Sequence, residues 1–206
     1  MEERPEQRTL QNRLNEAALP IFANMGYDST DNEMIANAAG VSRQEVIAAG
    51  GRRRIYLSIV EDFYRAQLEM LDEVAASFVP DEAGIHMLLE RMMEFYLDHP
   101  DEMALWQQRY LHDAADIADI EAKYRVSVFQ RTADIFGPEL TSRADLQILA
   151  NITSWSFRGF MTEGIIQIGG GPILRPEDPE GRARFRSYLH YMTKLLFDGA
   201  GQHKGV

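Results

Sequence analysis

Apolar residues return every three or four positions along almost the whole chain, and nowhere do they alternate with polar ones over a useful length. That period lays a stripe along one face of a helix and leaves no half-buried strand. The expected fold class is therefore all-α. Leu10, Leu14, Ala17, Ala18, Ile21 and Met25 form the first stripe. Pro20 lies within it and removes the hydrogen bond to the Glu16 carbonyl, which predicts a kink or an early break. Gly26 ends that helix.

Short elements follow. Thr30-Asp-Asn-Glu33 has the form of a capping box, with Thr30 accepting from the backbone and Glu33 reaching back. It predicts a helix to about Ala39 with Ile35 and Ala38 inward. Gly40 makes a turn, and Ser42 can cap a third helix starting at Arg43, which Gly50-Gly51 stops. Three short helices with a glycine turn between the second and third are the parts of a helix-turn-helix. In that motif the second helix braces the third, whose first half projects into a major groove. Such a trio also serves as plain architecture.

Beyond it, Ile55, Ile59, Phe63, Met70, Val74 and Phe78 mark a fourth helix ending before Pro80. Ile85, Leu88, Leu89, Met92, Phe95 and Tyr96 mark a fifth, closed by His99-Pro100. Two more fit about 101–113 and 115–136, with Gly137-Pro138 as the stop. Residues 142–167 read as a long helix, nearly apolar all round in its second half and so buried on more than one side. Residues 169–181, rich in Gly and Pro, read as a loop before a last helix at 182–197.

The chain has 206 residues, no cysteine and a formal charge of −11. Disulfides and thiolate metal sites are thereby excluded. No run of apolar residues reaches membrane-spanning length and the start carries no secretory signal pattern, so a soluble cytoplasmic protein with no membrane partner is expected. The acidity opposes non-specific coating of nucleic acid. It is uneven, however. Residues 1–56 hold seven Arg against eight Asp or Glu, whereas the rest carries fourteen basic and twenty-four acidic residues. Only the N-terminal part can approach a polyanion.

The stretch EAALPIFANMGYDSTDNEMIANAAGVS, residues 16–42, resembles the TetR family of bacterial one-component transcription regulators. The resemblance is carried by Ala17-Ala18-Leu19 with Phe22, Gly26-Tyr27, Thr30, Ile35-Ala36 and Ala39-Gly40-Val41-Ser42, and by the spacing from Gly26 to Gly40. It covers about a quarter of the chain; the remainder is similar in helical layout and length. The resemblance implies a homodimer on double-stranded operator DNA, with a helix-turn-helix domain at 1–56. It further implies a helical effector-binding and dimerisation domain at 57–206, answering to a small-molecule effector.

Carried over by position, the DNA-contacting residues are Thr30, Ser42, Arg43, Gln44, Glu45, Ile47, Arg52, Arg53 and Arg54. Arg43 suits guanine and Gln44 suits adenine; Glu45 repels phosphate and must face a cytosine amine or point away. Ile47 stands where the family commonly has Tyr, Gly50 where it has Phe, and Arg53 where a Lys touches phosphate. Gly50 gives up packing and frees the backbone, at a cost of about 1 kcal/mol. Arg52, Arg53 and Arg54 begin a helix whose dipole disfavours cations, so an anion such as phosphate would compensate them. Solvation or pairing with nearby carboxylates is the plainer alternative. The reading surface is reduced, and a module that has kept the fold but lost operator recognition is the rival reading.

An apolar or aromatic effector pocket is expected among Met92, Trp106, Tyr110, Trp155 and Phe157, since Met adapts to irregular cavities between helices. Plain core is the ordinary role of such residues. The dimer contact is expected on the helices near 146–166 and 182–197, through Leu149, Ile152, Phe185, Tyr188, Leu189, Met192 and Leu196. His112, Asp113, Asp116 and Asp119 share a helical spacing that could ligate a metal, but solvated acidic faces are far commoner. The same holds for His86 and Glu90. Gly169-Gly170-Gly171-Pro172 lacks the lysine and preceding strand of a phosphate loop. No cofactor or metal is expected, and nothing requires an enzyme.

Overall fold

The computed structural model describes the backbone at 5–142 and 144–199, and side chains at 10–142 and 146–195. The described residues form helices α1 (Pro5–Met25), α2 (Asn32–Ala39), α3 (Arg43–Ala48), α4 (Gly51–Ala75), α5 (Glu82–Asp98), α6 (Pro100–Tyr110), α7 (Val126–Thr141), α8 (Ala144–Glu163) and α9 (Pro179–Gly199). A π-helical turn, Glu121–Arg125, precedes α7. The only strand-like pairing among these residues is an isolated antiparallel bridge between Ile165 and Leu174. The chain is all-α, with an N-terminal helix-turn-helix followed by a larger helical part.

Packing divides the described residues into two compact units. One holds the chain up to Ala66 together with His99–Tyr124; the other holds Gln67–Asp98 and the residues from Arg125 onward. Helix α4 contributes to both. In the first unit, Leu14, Ala18 and Phe22 of α1 meet Ile35 of α2, Val46 of α3, and Ile55 and Tyr56 of α4 in one core. Within it Tyr56 meets Phe22 and Tyr27 edge-on, at 5.3 and 5.0 Å between ring centroids. Each such ring contributes roughly 1.5–3 kcal/mol through burial. Burial also pushes the Tyr56 phenol well above its ordinary range.

Several local expectations change. Helix α1 is unbroken through Pro20, because Leu14 and Ala18 before it and Phe22 after it are all fully buried on one face. The cap of α2 is Asp31, whose carboxylate accepts from the Glu33 and Met34 amides at 2.8 and 2.9 Å. Thr30 is unavailable for that role: its hydroxyl donates to the Gly26 carbonyl at 2.6 Å. Residues 111–119 are not helical; His112, Ala114 and Asp119 take positive φ, which scatters the four acidic and imidazole groups off any common face. Helix α8 stops at Glu163, since Gly164 has φ of 74° and packs so closely on the Leu174 carbonyl that a Cβ would sit 2.6 Å from it.

The second unit centres on α5, α8 and α9. Phe157 meets Tyr96 at 5.1 Å and Phe185 at 5.3 Å, and Phe160 stacks on Phe185 at 4.2 Å. His86 stacks on His190, and Glu90 holds Arg186 at 2.6 Å. Gly137, with φ of 74° and ψ of 170°, breaks α7 where Gly137-Pro138 was expected to stop it. No described helix is long and apolar enough to cross a membrane.

Candidate nucleic-acid interface

The turn between α2 and α3 is built by Gly40, which takes the left-handed conformation at φ 65°, ψ 38° and closes α2 through its amide. Arg13 reinforces that end by donating to the Ala39 carbonyl at 2.8 Å. Ser42 then caps α3 as expected, accepting from the Glu45 amide. Val46 is fully buried and seats α3 on the core, so Arg43, Gln44 and Ile47 face outward; Ile47 is 48% exposed.

Glu45 points back into the helix start. One of its oxygens accepts from the Ser42 amide at 2.8 Å and the Ser42 hydroxyl at 2.7 Å. The hydrogen bond from the Ser42 amide, followed by that from its hydroxyl, holds the Glu45 carboxyl below its ordinary value. Its value in the folded chain thus lies below that in the unfolded chain. The cap is fully in force above the ordinary glutamate value of 4.5 and is lost as pH falls through the lowered one. Acid titration by NMR should therefore move the Ser42 amide resonance together with the Glu45 carboxyl, and Glu45→Gln should abolish that movement. A Ser42 amide indifferent to pH would refute the contact.

The two glycines after α3 have positive φ, 99° at Gly50 and 69° at Gly51. A side chain at 50 would also collide with Arg54, its Cβ only 2.6 Å from that of Arg54. Asn32, the first residue of α2, accepts from the Arg52 amide at 2.7 Å and so ties the start of α4 to the start of α2. The glycine pair is a tight corner, which replaces the packing expected of an aromatic residue there.

The three arginines divide. The Arg52 Nη1 donates to the carbonyls of Thr30, Tyr27 and Asp28 at 2.7, 3.0 and 3.3 Å, and the guanidinium lies over the Tyr27 ring. Backbone carbonyls supply the negative partner that phosphate was expected to supply, so Arg52 is a structural residue of the corner. Burial raises the Tyr27 phenol, with Arg52 opposing that shift. Arg54 faces Glu61 at 3.8 Å across open solvent, a pair of little energetic weight. Arg53 is exposed and makes no described ion pair. Arg43 is also exposed and lines a cleft of about 310 Å³ with Asp31, Asn32, Glu33 and Arg52. Thr30, 1% exposed, cannot reach a ligand without unfolding its turn.

The expected pocket residues are divided between the two units. Trp106 packs on the core of the first unit, where Tyr110 lies 38% exposed. Met92, Trp155 and Phe157 belong to the second unit; Phe157 is buried in its core, Met92 is half-buried, and Trp155 is 54% exposed. Trp155 faces solvent because α8 turns the opposite side, Thr153, Phe157 and Phe160, inward.

The expected dimer residues also separate by face. Ile152 and Tyr188 are exposed, while Leu149 and Met192 are half-buried. Phe185 and Leu189 are core residues, at 3% and 1% exposure, and are thereby removed from any surface. The Leu196 side chain lies outside the described residues. Ile148, Trp155, Tyr191 and Leu195 complete the outward apolar set on α8 and α9. The 3.6-residue spacing fits two adjacent faces of α9, and only the packing distinguishes 185, 189 and 193 from 188, 191 and 195.

Sequence reasoning missed Arg109 and Asn32 and weighed Asp113 only as a metal ligand, whereas all three bond to backbone. No local pattern announces such a contact.

No family model matches the chain, and no curated protein matches it. Solved structures do. A Mesorhizobium loti protein assigned to the TetR-family transcriptional regulators superposes with a TM-score of 0.66 at 15% identity, covering 95% of this chain and 98% of that one. The ketosteroid transcriptional regulator KstR2 of Mycobacterium tuberculosis gives 0.62 at 14% identity over 89% and 93%. The fatty acid degradation regulator FadR of Bacillus halodurans gives 0.59 at 14% over 97% and 98%. At such identities the likeness establishes the fold.

Proposed function

We propose that this chain is a DNA-binding transcription regulator that acts as a homodimer and is released from its operator by a small apolar or aromatic effector. The observation that carries this reading is the surface of α3. A capped helix start, seated by Val46, presents Arg43, Gln44 and Ile47, with the unengaged Arg53 just beyond the glycine corner. The likeness in fold to named regulators supports it. In this reading residues 1–56 contact DNA, and residues 57–206 hold effector and partner copy. Ser42 contributes its backbone position at the helix start, and Arg54 can leave its solvent-screened pair for phosphate.

Two recognition helices must match successive major grooves, roughly 34–36 Å apart. An effector that prefers another spacing shifts the population away from the DNA-competent form. Two of the structural neighbours are named for ketosteroid and fatty acid regulation, which supports an apolar effector class here.

Selection from a random duplex library tests the proposal. The chain should recover a preferred sequence, with affinity falling steeply as salt rises. Arg43→Ala should flatten preference at one base step, costing about 1–3 kcal/mol of discrimination. Arg53→Ala should weaken all duplexes alike and lower the salt slope by about 1. Recovery of no sequence, or equal recovery of all, would favour a module that keeps the fold without operator recognition, as the six-residue α3 and the glycine corner permit.

A further inference from the structure

The turn joining α1 to α2 is held from two sides by side chains remote in sequence. Gly26, at φ 80°, turns the following amides in one direction, a concavity suited to an anion. The Asp113 carboxylate fills it: one oxygen accepts from the Tyr27 amide at 2.8 Å and the other from the Asp28 amide at 2.9 Å. The approach is so close that a Cβ on Gly26 would lie 2.8 Å from the carboxylate. The carbonyls of Tyr27, Asp28 and Thr30 point the other way, to Arg52.

Asp113 is itself set by Arg109 of α6. That guanidinium donates to the carbonyls of Asp113, Ala114 and Ile117 and forms a double hydrogen bond with Glu121. The clasped turn leads directly into α2, and Arg52 leads directly into Arg53. A carboxylate anchored on the segment after α6 therefore fixes the residues on both sides of α3.

We infer that Asp113 is a positioning residue for DNA reading, acting through the amides of Tyr27 and Asp28 to hold α2 and α3 at the angle that admits them to the groove. This rests on the DNA-binding reading proposed above.

The test uses the full chain and a duplex that the wild-type chain has recovered from a random library. Asp113→Ala should weaken binding of that duplex at least tenfold. It also empties a concavity of carboxylate size, so added formate should restore most of the affinity, compared with chloride at equal ionic strength. Asp113→Leu, which fills the same space, should lose affinity without formate rescue. Unchanged affinity in Asp113→Ala overturns the inference. So does a loss that formate leaves untouched, because the side chain would then act only in folding. Failure of the wild-type chain to recover any duplex is a different result: it removes the DNA-binding reading, and this inference with it.

Discussion

Arg109→Met is expected to lower the stability of the chain by about 3 kcal/mol, the smaller end of the cost of breaking a buried pair. The Arg109 side chain is only 9% exposed, whereas Glu121 is 45% exposed, so water can take up the carboxylate once its partner is gone. The larger loss comes from the backbone. Carbonyls of Asp113, Ala114 and Ile117 would lose a donor that water cannot readily replace. They belong to a segment where His112, Ala114 and Asp119 already take positive φ without being glycine. Ala114, Ile117 and Ile120 are drawn into the core by that conformation, at 0%, 2% and 2% exposure. Arg109→Lys should recover little, since an ammonium lacks the planar fork that reaches five acceptors at once. In thermal denaturation the expected fall is about 6–12 °C for a chain of this size. A variant melting within about 2 °C of wild type would show that the knot around Arg109 is dispensable.

The second large effect concerns assembly. Trp155→Asp combined with Tyr191→Asp should yield a monomer near the chain mass of 23.5 kDa in sedimentation. Both side chains are more than half exposed, 54% and 63%, so neither substitution disturbs the core of the second unit. Ile148, Ile152 and Leu195 share the outward apolar character. Carboxylates there would have to be desolvated for a partner copy to dock. On the proposed reading of a DNA-binding homodimer, loss of the partner would remove the tethering that turns two weak half-site contacts into one strong one, and DNA affinity should fall about 100-fold or more. A wild-type chain that already sediments as a monomer would sink the dimer reading outright.

Much of the helix-turn-helix was legible because its signals are local. Gly40 and Ser42 lie within two residues of the turn and cap they make, and Gly50-Gly51 stops α3 by φ alone. The failures are of another kind. Thr30 and Asp31 are both competent caps, and the choice fell to Asp31 because the Gly26 carbonyl took the Thr30 hydroxyl. Residues 111–119 carry a helical spacing, yet Arg109 and the core draw them into an irregular path. For the candidate site, Arg43, Gln44 and Ile47 came from position in the family resemblance, and the buried Val46 shows them to face outward. The division among Arg52, Arg53 and Arg54 was not legible in the sequence.

Taken by itself, the sequence determined the helical class, the order of the helices and the place of the short third helix, since periodicity, caps and glycine turns act within one or two turns of chain. Tertiary structure alone decided which face of α9 is core, which arginine is spent on carbonyls, and that Asp113 clasps an amide 86 residues away at Tyr27. The reason is physical. A helix period fixes a direction around an axis, whereas the partner of a charge is set by whatever distant backbone the packing brings within about 3 Å of it.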